Sequence, residues 1–86
     1  MFECHITCMQ HDSVKATEVA KQLHWKTSEI ARDPVLGNDT YFYLTSHSDK
    51  LATMYERMEK VVAQLTWVNV KVIREKIEVI IHDVRF

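Results

Sequence analysis

The chain has 86 residues, of which 47% are apolar and 27% charged, and its formal net charge is −1. These values are ordinary for one small globular domain, so they exclude a disordered chain, and no apolar run approaches the ~20 residues of a membrane span. The nearly balanced charge gives no broad attraction to phosphate backbones, which argues against a nucleic-acid coat protein. We therefore predict a single cytoplasmic domain over residues 1–86 with no membrane or nucleic-acid partner.

The first predicted element is a strand from Phe2 to Met9, in which apolar and polar residues alternate. A period of two places alternate residues on opposite faces of a sheet. The apolar set is Cys4, Ile6 and Cys8, and the polar set is Glu3, His5 and Thr7. Two cysteines four residues apart on a strand are separated by roughly 13 Å, which is too far for a disulfide. We interpret both cysteines as reduced core residues.

A helix and a second strand follow. Apolar residues at positions i, i+3, i+4 and i+7 predict a helix from Ser13 to Leu23. The segment from His24 to Ile30 loses this period and gains aromatic and β-branched residues, so it is interpreted as a strand. The alternative is that the helix continues to Arg32. The only proline and the only glycine, Pro34 and Gly37, mark the loop that comes next.

The second half of the chain repeats this order of elements. Strand-forming residues predict a third strand from Thr40 to His47. After Ser48 and Asp49, which are candidate capping residues, an apolar stripe of helical period predicts a second helix. The stripe consists of Leu51, Met54, Tyr55, Met58, Val61, Val62 and Leu65. A long final strand is predicted from Val68 to Asp83, with a bulge or bend near Arg74 and Glu75 where the apolar phase changes.

The element order β, α, β, β, α, β is that of a ferredoxin-like α+β sandwich. Right-handed crossovers place both helices on one face of a four-stranded antiparallel sheet and leave the other face open. The first and third strands are the central, antiparallel pair of this fold. We therefore predict that polar side chains from these two strands meet on the open face.

The predicted site lies on that open face. Its members are His5, Thr7, Thr45 and His47, flanked by Arg74, Lys76 and Glu78 of an edge strand. A suitable register would place the two imidazoles, or the two hydroxyls, opposite each other. Basic groups bind phosphate or carboxylate, hydroxyls donate hydrogen bonds, and imidazoles transfer protons near neutral pH. We predict that this site binds an anionic small molecule, with His5 and His47 as candidate catalytic residues and the other five as ligand-binding residues.

One part of this pattern resembles a known enzyme family. His5-Ile6-Thr7 is similar to the His-x-Thr/Ser strand motif of the 2H phosphoesterases, the cyclic phosphodiesterase and RNA-ligase-like enzymes. In that family two such motifs supply a general base and a general acid for a phosphodiester, and the hydroxyl residues hold the phosphate. The resemblance implies these roles for His5 and Thr7 and a nucleotide or other phosphoester as ligand. Thr45-Ser46-His47 departs from the family because it carries its elements in reverse order, and the chain has room for one lobe only.

A second resemblance spans most of the chain. His-Ile-Thr near the start, Thr-x-His in the middle and Arg-Glu-Lys-Ile-Glu near the end look like the pattern of a group of small bacterial and phage proteins without an assigned function. This resemblance implies the same strands and the same polar cluster. It implies no activity.

An alternative function is that of an interaction module, which pairs with a second copy or with a partner protein and has no catalytic activity. Trp25, Tyr41 and Tyr43 are of the kind enriched at such interfaces. Aromatic residues on an open sheet also resemble RNA-binding platforms, but the chain lacks their basic aromatic strand motif. No metal or cofactor is predicted, because the histidines, His82 included, lack the close spacing of a zinc signature. The residues favour binding of an anionic ligand over catalysis.

Overall fold

A computed structural model of the chain describes residues 1–30 and 41–81. Its elements are β1 (Phe2–Met9), α1 (Ser13–Leu23), β2 (Lys26–Ile30), β3 (Tyr41–Ser48), α2 (Leu51–Trp67) and β4 (Arg74–Val79). A 3-10 turn, Gln10–Asp12, joins β1 to α1. The strands form one sheet in the order β2-β3-β1-β4, in which all neighbours are antiparallel. The predicted ferredoxin-like α+β fold, with β1 and β3 as its central pair, is confirmed.

The core lies between the two helices and the face of the sheet that carries the apolar residues of β1. Its largest fully buried side chains are Cys4, Ile6, Cys8, Leu44, Met54, Val61 and Leu65. Both cysteines are free and buried, which confirms their interpretation as reduced core residues. Burial raises the pKa of each thiol to about 11. A buried thiol of such a high pKa stays protonated and unreactive near neutral pH.

Helix α1 has the bounds that its apolar period predicts. Ala16, Val19 and Ala20 are buried on the face that meets the sheet. The helix ends because His24 adopts a left-handed conformation with φ of 61°, and the Trp25 N–H donates to the Ala20 carbonyl at 2.8 Å. Such a left-handed residue commonly ends a helix, since it turns the chain and satisfies the last carbonyl groups.

Helix α2 also follows the predicted apolar stripe, but its start differs from the prediction. The N-cap residue is Lys50, and no side chain caps the helix. Ser48 Oγ instead accepts a hydrogen bond from the Lys50 N–H at 3.2 Å, so the predicted capping by Ser48 and Asp49 is wrong. Leu51 and Tyr55 lie at the margin of the stripe, 42% and 49% exposed. Within residues 1–30 and 41–81, neither helix is long and apolar enough to cross a membrane.

The segment between α2 and β4 corrects the predicted final strand. Residues 68–73 form a turn and an irregular segment, and β4 begins only at Arg74. Asn69 has a φ of 63°, and the Val70 N–H donates back to the Leu65 carbonyl at 2.8 Å. The alternating valines of this segment pack against the core rather than pairing in a strand. The change of apolar phase therefore marks the end of this segment and not a bulge.

Trp25 lies in the core on the helix side of the sheet, which corrects its interpretation as an interface residue. It is 6% exposed, and the guanidinium carbon of Arg57 lies 5.8 Å from the centroid of its ring. The Arg57 guanidinium also donates hydrogen bonds to the carbonyl oxygens of Leu23, His24 and His47. One side chain of α2 thus connects the end of α1 with the end of β3.

The remaining strand predictions differ in their bounds. β2 begins at Lys26 rather than His24, and because α1 ends at Leu23 the alternative of a longer helix is wrong. Several predicted positions lie outside the described residues. They are the loop with Pro34 and Gly37, Thr40 of the third strand, and His82 and Asp83 of the last strand.

Candidate functional site

The face of the sheet away from the helices, called the open face below, carries polar residues from all four strands. Strand pairing arranges them in three rows across the sheet. The first row is Glu78, Glu3 and His47; the second is Lys76, His5, Thr45 and Lys26; the third is Arg74, Thr7, Tyr43 and Ser28. Every residue of the predicted site lies in one of these rows.

The register of β1 and β3 differs from both arrangements considered from the sequence. His5 lies opposite Thr45 and His47 lies opposite Glu3, so neither the two imidazoles nor the two hydroxyls face each other. His5 Nδ1 and Thr45 Oγ1 are 3.1 Å apart and form a hydrogen bond. A hydrogen bond at one ring nitrogen fixes the orientation of an imidazole, so Thr45 aims the other nitrogen, Nε2, along the sheet.

Glu3 connects the two histidines. Its Oε1 contacts His5 Nε2, and its Oε2 lies 2.5 Å from His47 Nε2. Glu78 approaches the same imidazole from β4, with Oε2 3.7 Å from His5 Nε2, while its other oxygen pairs with Lys76 Nζ. The histidines are thus joined through one shared carboxylate.

A cavity of about 250 Å³ opens on the second and third rows and reaches Glu78 of the first row. Its lining residues are His5, Thr7, Ser28, Tyr43, Thr45, Arg74, Lys76 and Glu78. The structure therefore brings six of the seven predicted site residues around one cavity. His47 is the exception, because it contacts Glu3 and does not line the cavity.

Two polar groups of the cavity have no partner within residues 1–30 and 41–81. Thr7 is 3% exposed as a whole residue; its hydroxyl makes no hydrogen bond to these residues and is accessible from the cavity. The Arg74 guanidinium likewise makes no hydrogen bond or ion pair within these residues, although its charge helps to lower the pKa of the Glu78 carboxyl. Lys76 differs from Arg74 because its ammonium group already has a partner, the Glu78 carboxylate. The hydrogen bond between them lowers the pKa of the Glu78 carboxyl and keeps it ionised. Arg74 is therefore the cation that this cavity offers to a ligand.

The chain is similar along its whole length to a crystal structure of a protein from Deinococcus radiodurans, which is provisionally assigned as an antibiotic biosynthesis monooxygenase. The two chains share 15% identity and superpose with a TM-score of 0.62, over 100% of this chain and 98% of the other. The likeness is one of fold alone. No protein-family model and no curated protein matches the chain.

The sequence pattern does not single out Glu3, Ser28 or Tyr43 as site residues. The period of two places Glu3 on the same face as His5, but its contact with His47 depends on the register between two strands. Ser28 and Tyr43 reach the cavity from strands with hydroxyl groups at several positions. Only the cross-strand pairing distinguishes these two from the others.

Proposed function

We propose that the domain binds a small anionic ligand of the phosphoester class, nucleotides included, in the cavity of the open face. The observation that carries this proposal is that Arg74 and Thr7 lie opposite each other at the wall of the cavity, and that neither side chain has a hydrogen bond or ion pair within residues 1–30 and 41–81. A guanidinium and a hydroxyl supply the charge and the hydrogen-bond donors that a phosphate requires. Lys76 contributes a second positive charge at the same wall, although Glu78 offsets it.

The size of the cavity limits which part of a ligand it holds. Ligand pockets for drug-sized molecules span about 300–1,000 Å³. The cavity of about 250 Å³ lies just below that range. It therefore fits a phosphate with the adjoining part of a sugar, and the rest of a nucleotide would extend over the neighbouring surface of the open face.

The proposed roles of the two histidines differ because their positions differ. His5 lines the cavity, so it contacts the ligand directly and is the candidate for proton transfer. His47 contacts Glu3, and Glu3 contacts His5, so His47 acts on the ligand through this carboxylate. Thr45 orients the His5 ring and offers its hydroxyl at the wall of the cavity.

Removing the Arg74 guanidinium tests this proposal. We expect Arg74→Ala to weaken binding of a phosphate ligand about 10- to 150-fold, because a hydrogen bond to a charged group contributes about 1.5–3 kcal/mol. Amide NMR titrations of metal-free protein with inorganic phosphate, mononucleotides and cyclic nucleotides measure this change. The shifts should centre on His5, Thr7, Thr45 and Arg74. Thr7→Val should weaken binding about fivefold, as expected for one neutral hydrogen bond.

Lys15→Ala is the matched control for Arg74→Ala. It removes one positive charge from the exposed surface of α1, on the helix layer, and should leave the affinity nearly unchanged. Shifts confined to the helices, or equal losses in both variants, would show that only net charge attracts the ligand. Either result rules out a binding site on the open face.

A second candidate function is self-association, and the observation that favours it lies at the edge strand β4. Val79, Ile80 and Ile81 are consecutive apolar residues with exposed fractions of 67%, 37% and 84%. On its inner side this run is held to β1, since Val79 pairs with Phe2 and the Ile80 N–H donates to the Met1 carbonyl at 2.9 Å. Exposed apolar side chains beside the outer side of an edge strand are a common pairing surface. A second copy of this chain is the proposed occupant.

Sedimentation equilibrium tests the self-association. We expect the wild-type chain to form dimers, and Val79→Lys with Ile81→Lys to raise the dimer dissociation constant at least about tenfold, since buried lysines cost more than 1.4 kcal/mol. Val14→Lys is the control, because Val14 is 77% exposed on α1, away from this edge. A wild-type chain that is monomeric at its highest soluble concentration excludes this function.

A further inference from the structure

Three potential metal ligands converge beside the cavity. One carboxylate oxygen of Glu3, one of Glu78 and a ring nitrogen of His5 lie within 4.8 Å of one another. Two ligands bound at about 2.0–2.1 Å to a tetrahedral ion are separated by about 3.3 Å. Since His5 Nε2 and Glu78 Oε2 are 3.7 Å apart, small side-chain rotations bring these atoms to coordinating distance of one ion.

Each of the three groups is held by a second polar residue through its other atom. Thr45 Oγ1 binds His5 Nδ1, His47 Nε2 lies next to Glu3 Oε2, and Lys76 Nζ pairs with Glu78 Oε1. Metal-binding imidazoles and carboxylates typically have such outer partners, which orient the ligating atom. The atoms that remain are those that face one another: His5 Nε2, Glu3 Oε1 and Glu78 Oε2.

The charges of this arrangement favour a cation at its centre. Glu3 and Glu78 lie directly opposite each other on neighbouring strands, where like charges destabilise a sheet. When His5 Nδ1 donates its proton to Thr45, the neutral ring presents the lone pair of Nε2 to the same two carboxylates. Three acceptor atoms then face one another. A cation bound between these atoms would attract all three and so offset the repulsion between the two carboxylates.

We propose that Glu3, His5 and Glu78 bind one divalent transition-metal ion of the Zn²⁺ class through Oε1, Nε2 and Oε2. A mixed set of imidazole and carboxylate ligands suits such ions better than it suits Mg²⁺ or Ca²⁺. The spacing of the histidines in the sequence does not predict this site, because two of its three ligands are carboxylates. Glu78 lies next to Glu3 and His5 only because β4 pairs with β1. This site does not depend on the proposed anionic ligand.

Calorimetric titration with Zn²⁺ alone, in a buffer free of phosphate, tests the inference. We expect one ion per chain, and visible absorption bands of a tetrahedral or five-coordinate ion when Co²⁺ replaces Zn²⁺. Glu78→Gln should weaken Zn²⁺ binding at least about tenfold, because it removes one ligand charge. Glu75→Gln is the matched control: the residue lies on β4 opposite Ile6, on the other face of the sheet, and the affinity should not change.

Thr45→Val separates the orienting role of Thr45 from direct ligation. It removes the hydrogen bond to His5 while keeping all three ligands, and should weaken Zn²⁺ binding about tenfold, which is typical for loss of an outer partner. Circular dichroism checks the fold of each variant. In the wild-type chain, Mn²⁺ should broaden the NMR signals of His5 and Glu78 and spare those of His11, which lies 3.5 Å from Asp12 and is the competing site.

The inference is wrong if Zn²⁺ binds no tighter than millimolar, if Glu78→Gln binds as the wild type does, or if Mn²⁺ broadens His11 instead. Arg74→Ala tests the metal site and the anion site separately. Because Arg74 is not a ligand, this variant should bind Zn²⁺ at least as tightly as the wild type, whether or not it binds phosphate.

Discussion

Replacing Leu44 with alanine should lower the free energy of unfolding by about 2–5 kcal/mol, enough to unfold much of a domain of marginal stability. Leu44 is fully buried on β3, opposite Ile6 of β1. Truncation removes apolar contacts and leaves a cavity that a central sheet position cannot close. Urea unfolding followed by circular dichroism measures the change.

The same substitution at Leu51 is the control for Leu44→Ala. Leu51 begins α2 and is 42% exposed, so Leu51→Ala should cost less than about 1 kcal/mol. Equal losses at the two positions would contradict a core between the helices and the inner face of the sheet. A small loss at Leu44 alone would mean that the neighbouring side chains collapse into the space.

The stability of the domain should fall as the pH rises from 9 to 11, with Cys8 contributing up to about 2.7 kcal/mol of the loss. Burial, with a smaller effect of the Asp12 charge, raises the pKa of the Cys8 thiol from 9.0 to about 11. The unfolded chain therefore releases this proton at lower pH than the folded chain does. The stabilisation by the protonated thiol is complete below pH 9 and is lost as the pH approaches 11.

Cys8→Ala isolates this contribution from the other groups that titrate in alkali. Its free energy of unfolding, measured in urea across the same pH range, should decline less than that of the wild type. Parallel declines would show that the Cys8 thiol ionises at the same pH in the folded and unfolded chains. Such a result would be incompatible with its burial beside the Phe42 carbonyl, which Sγ approaches at 3.6 Å.

The helices and the sheet topology can be predicted from the sequence because they follow from local patterns. The spacing of apolar residues in α1 predicts its bounds from Ser13 to Leu23, and the order of elements then predicts the fold. Alternation in β1 likewise separates the core residues from the open face. In each case neighbouring residues carry the information, and no partner strand needs to be known.

Some predictions fail because apolar residues indicate that a segment is buried but do not indicate whether its backbone pairs with a neighbouring strand. The alternating valines of residues 68–73 are buried or half-buried as in a strand, yet Asn69 turns the chain and no residue of the segment belongs to a strand. Tryptophan is a residue type enriched at interfaces, but Trp25 precedes β2 on the helix side of the sheet and is buried in the core. Side-chain type alone does not determine which layer a residue enters.

The contacts of the candidate site cannot be derived from the sequence, because they depend on register. A shift of one residue between β1 and β3 would send every open-face side chain of one strand to the core. The sequence therefore indicates the face on which Glu3, His5 and His47 lie. It does not indicate that one carboxylate contacts both imidazoles, which follows only from the pairing of Glu3 with His47.

The edge position of β4 has a consequence for how this surface can be lost. The strand contributes Arg74, Lys76 and Glu78, yet among the strands of the described residues it pairs only with β1. Edge strands open locally at less free energy than the whole domain requires. Fraying of β4 would therefore dismantle the surface while β1, β3 and the helices stay folded, and an occupant that spans β1 and β4 would protect the amides of that edge from exchange.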